Sequence, residues 1–322
     1  MKKNVLYLLF MITLFCDGCI GKKGVDLPAM TMIVAEPVKK LELGLAGEGE
    51  VFLDWGDGTV DSLEIDVELH YHSHSYASEL AERTVKIYGY SVGMLVCEQN
   101  SLSALDLGNN TALQILYCGN NQLESLNIAG NTELTFLSCE QNRLRSLDLS
   151  KNTELEALLC HNNYLSEINL AENDELSYLN CDSNHLTTID LDENTALIYL
   201  SCEDNRLTTL ELDNNTELTH LECDSNQITT LDLSENIALE SLKCSDNSLR
   251  SLTLAENIYL TTLECKDNLL TAEELNKLFN SLHKNSFDEM KKELTVDGNP
   301  GEEHCNRGIA IEKGWIFDDD TY

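Results

Sequence analysis

Nine cysteines recur at a spacing of 21 residues: Cys97, Cys118, Cys139, Cys160, Cys181, Cys202, Cys223, Cys244 and Cys265. A strict internal period overrides any estimate of domain number from length, because each repeat is one small unit that buries its apolar side only by stacking on its neighbours. The ladder aligns as LxCxxNxLxxLxLxxNxxLxx from Leu95 to about Leu270. An asparagine stands three residues after every ladder cysteine, from Asn100 to Asn268. A second asparagine column runs Asn110, Asn131, Asn152, Asn173, Asn194, Asn215, Asn236 and Asn257. Asparagine suits the tight turns of a coil, and its amide can bond backbone groups of its own and the next coil where the chain bends.

The two halves of each repeat are near copies. Leu95-x-Cys97-x-x-Asn100 is followed by Leu105-x-Leu107-x-x-Asn110, and wherever the first half has Cys the second has Leu or Ile, as in Leu107, Ile128, Leu149, Leu170 and Leu191. Cysteine therefore stands in for a hydrophobe and packs as a small apolar side chain. Successive ladder thiols lie ~4.8 Å apart along a stack of strands, near disulfide range, but parallel side-chain vectors are the wrong geometry for a bridge. A linear ladder without paired CxxC spacing does not converge on zinc.

This pattern resembles the leucine-rich repeat family, in its short bacterial class with nested half-repeats (IRREKO-type). The resemblance implies a mainly β solenoid with one coil per repeat and strands on both sides of each coil, over residues 94–270. Residues 271–322 form a small α+β cap. Thr271 and Glu274 make a capping box, Leu275, Leu278, Phe279 and Leu282 one apolar helix face, Glu293 to Val296 a strand, and Ile309, Ile311, Trp315 and Phe317 packing positions.

Residues 30–93 alternate apolar and polar residues in short strand-like runs. The run LDWGDGTVD (Leu53 to Asp61), HSY (His74 to Tyr76) and TVKI (Thr84 to Ile87) resembles the polycystic-kidney-disease-type β-sandwich, with Leu53 and Trp55 where that family has Trp and Phe. The resemblance implies a spacer or adhesion module that also covers the first coil. His70, His72 and His74 alternate on one strand face as copper or zinc ligands could, but His74 belongs to the HxY motif. Asp54, Asp57 and Asp61 leave calcium open, although they do not match an EF-hand loop and DG is a common turn dipeptide.

Lys2 and Lys3 precede the apolar run Val5 to Phe15, the pattern of an export signal and too short to span a bilayer. It ends in Cys16-Asp17-Gly18-Cys19, which resembles the lipobox of bacterial lipoproteins, although Cys16 stands where that family prefers Leu. The resemblance implies a signal peptide over 1–18, a lipid on Cys19, a tether over 19–29, and localisation at the outer membrane or cell surface.

Function classes narrow quickly. The net charge of -35, with 56 acidic against 21 basic side chains, argues against a basic phosphate-binding footprint and hence against nucleic acid. No GxSxG, HExxH or P-loop occurs, and the sequence neighbours His304 and Cys305 do not make a nucleophile and base, so a non-enzymatic protein without cofactor or bound metal is expected. What remains is a surface. The second-half segments expose a monotonous Ser, Thr, Asp side, for example Thr188, Asp190 and Asp192. The first-half strands expose columns that change from coil to coil, and Ile115, Tyr117, Phe136, His161, Tyr178, Tyr199 and His220 are the expected ligand-binding face. A protein ligand is expected there, with a glycan stacking on the aromatic column as the alternative.

Overall fold

The computed structural model describes residues 28–77, 82–286 and 291–317, so Cys19 and the leader lie outside the described residues. Two sheets account for all its strands. The first, of five strands, has the order β4(Val60–Ile65)-β3(Gly49–Asp54)-β6(Arg83–Tyr88)-β1(Met30–Val34)-β8(Leu102–Asp106). The second, of thirteen, begins with β5(His70–Ser75), β2(Lys40–Gly47) and β7(Val92–Val96). It continues through eight three-residue strands, β9(Ile115–Tyr117), β10(Phe136–Ser138), β11(Ala157–Leu159), β12(Tyr178–Asn180), β13(Tyr199–Ser201), β14(His220–Glu222), β15(Ser241–Lys243) and β16(Thr262–Glu264), and ends in β17(Lys292–Thr295) and β18(Trp315–Phe317).

The N-terminal strands form two layers whose alternate residues face inward, among them Met30, Met32, Leu41, Leu43, Leu45, Leu53 and Trp55, all fully buried. The two layers run straight into the solenoid. β7 pairs antiparallel with β2 and parallel with β9, and β8, on the other side of the first coil, pairs antiparallel with β1. The boundary expected at residue 93 thus falls inside a strand shared by both parts. From β9 onward the strands are parallel and in register, one coil apart, as Leu137 to Leu158 and Leu158 to Leu179.

Each coil turns by the same two devices. The residue two after every ladder cysteine adopts positive φ, from Gln99 at 58° through Ser183 at 52° to Asp267 at 50°. The first-column asparagine then ties two coils together. Asn184 donates from Nδ2 to the carbonyls of Cys160 (3.1 Å), Cys181 (3.0 Å) and Asp182 (3.1 Å), and its Oδ1 accepts from the Leu165 N–H (3.0 Å). The partner coil is the preceding one, not the next. In the second column Asn110 donates to the Val92 carbonyl at 2.7 Å, and each later amide donates to the carbonyl of the asparagine before it, as Asn152 to Asn131 at 2.8 Å and Asn173 to Asn152 at 2.8 Å.

The expected strand on the second side of each coil forms only at β8, with an isolated bridge from Asp106 to Asn127 beyond it. Among the described residues β8 has a strand partner in β1, which the later coils lack on that side. Asp closes several of these segments by accepting from the N–H two residues on, as Asp106 from Gly108 (3.0 Å), Asp148 from Ser150 (3.0 Å) and Asp190 from Asp192 (3.1 Å). Adjacent coils share one recurring backbone bond on that side, such as Tyr164 N–H to Leu144 at 2.8 Å.

The ladder thiols are unbridged and fully buried. Burial raises all nine, Cys160 and Cys265 to about 12, which leaves them without thiolate character. The cap repeats the coil with a true hydrophobe in the cysteine place: Leu294-x-Val296-x-x-Asn299 puts Val296 in the core, and Asn299 donates to the Cys265 carbonyl at 2.8 Å. Gly298, at φ 73°, takes the positive-φ position. Helix α1(Ala272–Ser281) starts on the Thr271 hydroxyl, which accepts from the Glu274 N–H at 3.3 Å, and buries Leu275, Leu278 and Phe279. Trp315 is buried as expected, whereas Ile311, closing the short helix α2(Gly308–Ile311), points to solvent at 58% exposure.

Candidate functional site

The outward side of β9 to β16 brings the seven expected residues onto one surface, but not as seven exposed anchors. Ile115 and Phe136 are 7% and 4% exposed, because with Ala157 and Leu159 they close into an apolar cluster against Met94, Tyr117 and Tyr178. Bulky side chains on strands ~4.8 Å apart cover one another. The Tyr117 and Phe136 rings meet at 4.7 Å. One coil beyond the cluster, Tyr178 and Tyr199 stack with centroids 4.4 Å apart and planes within 3°, and His220 follows at 6.2 Å from Tyr199. Tyr178, Tyr199, His220 and His161 are half-buried.

Past the aromatics the surface becomes polar and acidic. The Tyr199 hydroxyl donates to Glu222 Oε2 at 2.8 Å, and Lys243 Nζ reaches Glu222 Oε1 at 2.6 Å. Ser201, itself buried, donates to Asp182 Oδ1 at 2.6 Å, and that same oxygen takes the Glu203 N–H at 2.7 Å. Burial, then the neighbouring Asp182, Asp224 and Glu222, pushes Glu203 up to about 7. Burial and then Glu264 and Glu222 raise Asp224 to about 6. These acids were visible as column entries in the repeat, but their crowding was not, since it depends on which side chains lean together across coils.

A raised carboxyl binds its proton more tightly in the folded state. Its cost to stability is absent below the ordinary carboxyl range, grows as pH rises, and is complete above about pH 7 for Glu203. Glu203→Gln is therefore expected to stabilise the fold at pH 8 by about 1–2 kcal/mol, the shift being discounted for partial exposure. At pH 5, just above the ordinary carboxyl range, roughly a quarter of the gain should remain. Urea melts of both proteins at the two pH values measure it, and an equal gain at both would contradict the assignment.

In the N-terminal module the three aspartates of the WGDGT loop have separate partners. Asp54 Oδ1 accepts from Gly56 N–H (3.0 Å), Asp61 Oδ2 from Trp55 Nε1 (2.7 Å), and Asp57 bonds Thr59 and His74, the latter at 2.7 Å. The Thr59 hydroxyl and His74 hold the Asp57 carboxyl down at about 2. Trp55 stacks on His74 at 5.2 Å, and the Tyr76 hydroxyl donates to the Trp55 carbonyl at 2.9 Å. Among the described residues no three His, Cys, Asp or Glu side chains are grouped as metal ligands would be. No helix among them is long and apolar enough to cross a membrane.

The solved structures it resembles share this architecture. The functional domain of InlJ from Listeria monocytogenes, which includes a cysteine ladder, is 34% identical, with TM-score 0.61 over 69% of this chain and 47% of that one. The chain folds as a leucine-rich repeat solenoid. A leucine-rich repeat protein of Leptospira interrogans matches at 24% identity and TM-score 0.59, over 70% of this chain and 59% of that one. YopM, a leucine-rich effector protein from Yersinia pestis, matches at 26% identity and TM-score 0.51, over 64% and 55%. The chain thus spans about half the length of the InlJ domain, 47%, and somewhat more of the others. Neither a family model nor a curated protein sequence matches it. The cysteine ladder of this leucine-rich repeat protein is accordingly a feature it has in common with InlJ, together with the stacked coils.

Proposed function

We propose that this leucine-rich repeat protein is a non-enzymatic recognition protein that binds another protein through the outward side of β9 to β16. Its export signal and a lipid on Cys19 hold it at a bacterial surface, and the polycystic-kidney-disease-like module spaces the solenoid from the membrane. The observation that carries this reading is the grading of one surface, from the half-buried Tyr117 over the apolar cluster, through the Tyr178–Tyr199 stack, to the acids around Glu203. Accessible aromatic rings beside polar groups are what a protein interface needs. The glycan reading of the same column is weaker, because the two tyrosines spend faces on each other at 4.4 Å and so have less ring surface to offer a sugar.

Tyr178→Ala and Tyr199→Ala should each weaken a captured protein ligand by about 1–3 kcal/mol, while Thr188→Ala and Thr209→Ala, exposed on the opposite side of the same coils, should leave affinity unchanged. Titration calorimetry of the four variants, with matching thermal melts, decides it. Loss in the threonine pair alone would place recognition on the Ser, Thr, Asp side. Cys19→Ala should move the protein from the detergent phase to the aqueous phase, and equal partitioning would remove the anchor.

A further inference from the structure

All four arginines between residues 94 and 270 fall in two adjacent columns on one edge of the coils. Arg143 and Arg206 stand four residues after a ladder cysteine, Arg145 and Arg250 six after. Between Arg143 and Arg206, successive coils place Tyr164 and His185 in the same column, so the edge reads Arg, Tyr, His, Arg. Arg143, Arg145, Tyr164 and Arg206 are exposed, and His185 is half-buried. The arginine at 145 lies over the Tyr164 ring, 5.6 Å from its centroid, and the Tyr164 and His185 rings are 6.0 Å apart. An open groove of about 410 Å³ runs along this edge, lined by Asn162, Tyr164, Ser183, His185, Asp204 and Arg206 among others.

Some cations of this acidic chain find carboxylates, Lys243 on Glu222 at 2.6 Å and Lys277 on Glu273 and Glu274 at 2.9 and 2.8 Å. Arg143, Arg145 and Arg206 have no carboxylate partner among the described residues. The single carboxylate lining the groove, Asp204, is taken by the Ser183 hydroxyl at 3.1 Å. His185 Nδ1 donates to the Asn184 carbonyl at 2.9 Å, which turns Nε2 outward. The edge therefore offers guanidinium forks, a phenol, an imidazole nitrogen and the Asn162 amide, at one group per coil, with no apolar hole for a side-chain anchor.

From this we infer a second binding site, on the edge and separate from the protein-binding surface, for a linear acidic polysaccharide. Planar guanidinium groups bond carboxylates in pairs, and the exposed Tyr164 phenol beside Arg145 can bond a sugar hydroxyl. Coils repeat every ~4.8 Å, a step comparable with the length of one pyranose residue, so a chain of uronic acids lies along the edge with one residue per coil. An acidic peptide shares the charge but gains nothing from the regular step.

The test is calorimetric titration of the full chain at low and moderate salt with tetragalacturonate, with its neutral counterpart galactotetraose, and with tetraglutamate. Binding of tetragalacturonate that is at least tenfold tighter than either control is expected. Arg143→Gln with Arg206→Gln should weaken it at least tenfold, and Tyr164→Ala severalfold, with thermal melts unchanged. Tyr178→Ala should leave it intact, which separates this site from the protein-binding reading. Equal binding of tetraglutamate, no binding of tetragalacturonate, or indifference to the arginine pair would each overturn the proposal.

Discussion

Asn184→Leu will destabilise the solenoid by roughly 3–6 kcal/mol, although leucine is close to asparagine in size and apolar. The amide of Asn184 serves three carbonyls, of Cys160, Cys181 and Asp182, and its oxygen serves the Leu165 N–H. Each buried backbone group left without a partner costs about 1–3 kcal/mol, and not all four can find substitutes in a dry core. Asn184→Asp should be at least as damaging, since a carboxylate keeps the acceptor but turns its charge toward three carbonyl oxygens. Because stacked coils depend on their neighbours, a break in mid-stack should also broaden the urea transition as the two flanks lose coupling. A cost below about 1 kcal/mol for the leucine variant would mean that the asparagine column is ornament on a stack held by leucines alone.

The second large effect separates the cysteines' shape from their chemistry. Cys181→Val should cost no more than about 1–2 kcal/mol, as expected for an apolar exchange of nearly equal volume. Val296 already fills the equivalent place in the cap. Cys181→Asp should cost about 4 kcal/mol or more, because a carboxylate at that site is buried without a cation. Reductant and chelator should move neither variant nor the parent, the thiols being unbridged. Collapse of the parent in dithiothreitol, or equal losses for valine and aspartate, would show that sulfur does more than fill space.

Much of this was legible in the order of residues. Leu, Cys and Asn recur at one spacing, and a spacing held over so many coils leaves no fold but a stack. The leucine pair Leu105 and Leu107 against Leu95 and Cys97 disclosed that sulfur replaces an aliphatic group. The second strand of each coil was not legible from the same symmetry, since two halves alike in apolar pattern differ in their neighbours. β8 forms against β1, and the later coils have no such partner on that side among the described residues. The positive-φ position was legible only in part. Asn120, Asn162, Asp204, Asp246 and Asp267 favour a left-handed backbone, but Gln99, Gln141, Ser183 and Ser225 share the column and do not announce it.

The candidate site was legible as columns but not as contacts. Tyr178 and Tyr199 were separable in the sequence from the uniform threonines opposite, yet nothing in a column shows that Ile115 and Phe136 will disappear beneath Tyr117 and Met94. That outcome is decided by side-chain length across neighbouring strands. The arginine edge is not legible in the sequence because its members sit in two columns and acids outnumber them along the chain. Their lack of carboxylate partners emerges only once the coils are stacked.

The two ends of the ladder share a property with consequences for how such a molecule changes over generations. Asn100, the first of its column, bonds both the N–H and the carbonyl of Glu42, and Asn299, the last, grips Cys265 as any coil grips the one before it. Each terminal module therefore meets the stack through an asparagine of the repeat column, joined at the N-terminal end by strands antiparallel to β7 and β8, and neither junction reaches far enough to sense how many coils intervene. Duplication or loss of one 21-residue unit leaves both junctions chemically identical. Reach thus becomes a quantity that genetic slippage can adjust in whole steps while the ends stay as they are, whereas any insertion that is not a multiple of the unit strands an asparagine without its carbonyls and is rejected by the fold itself.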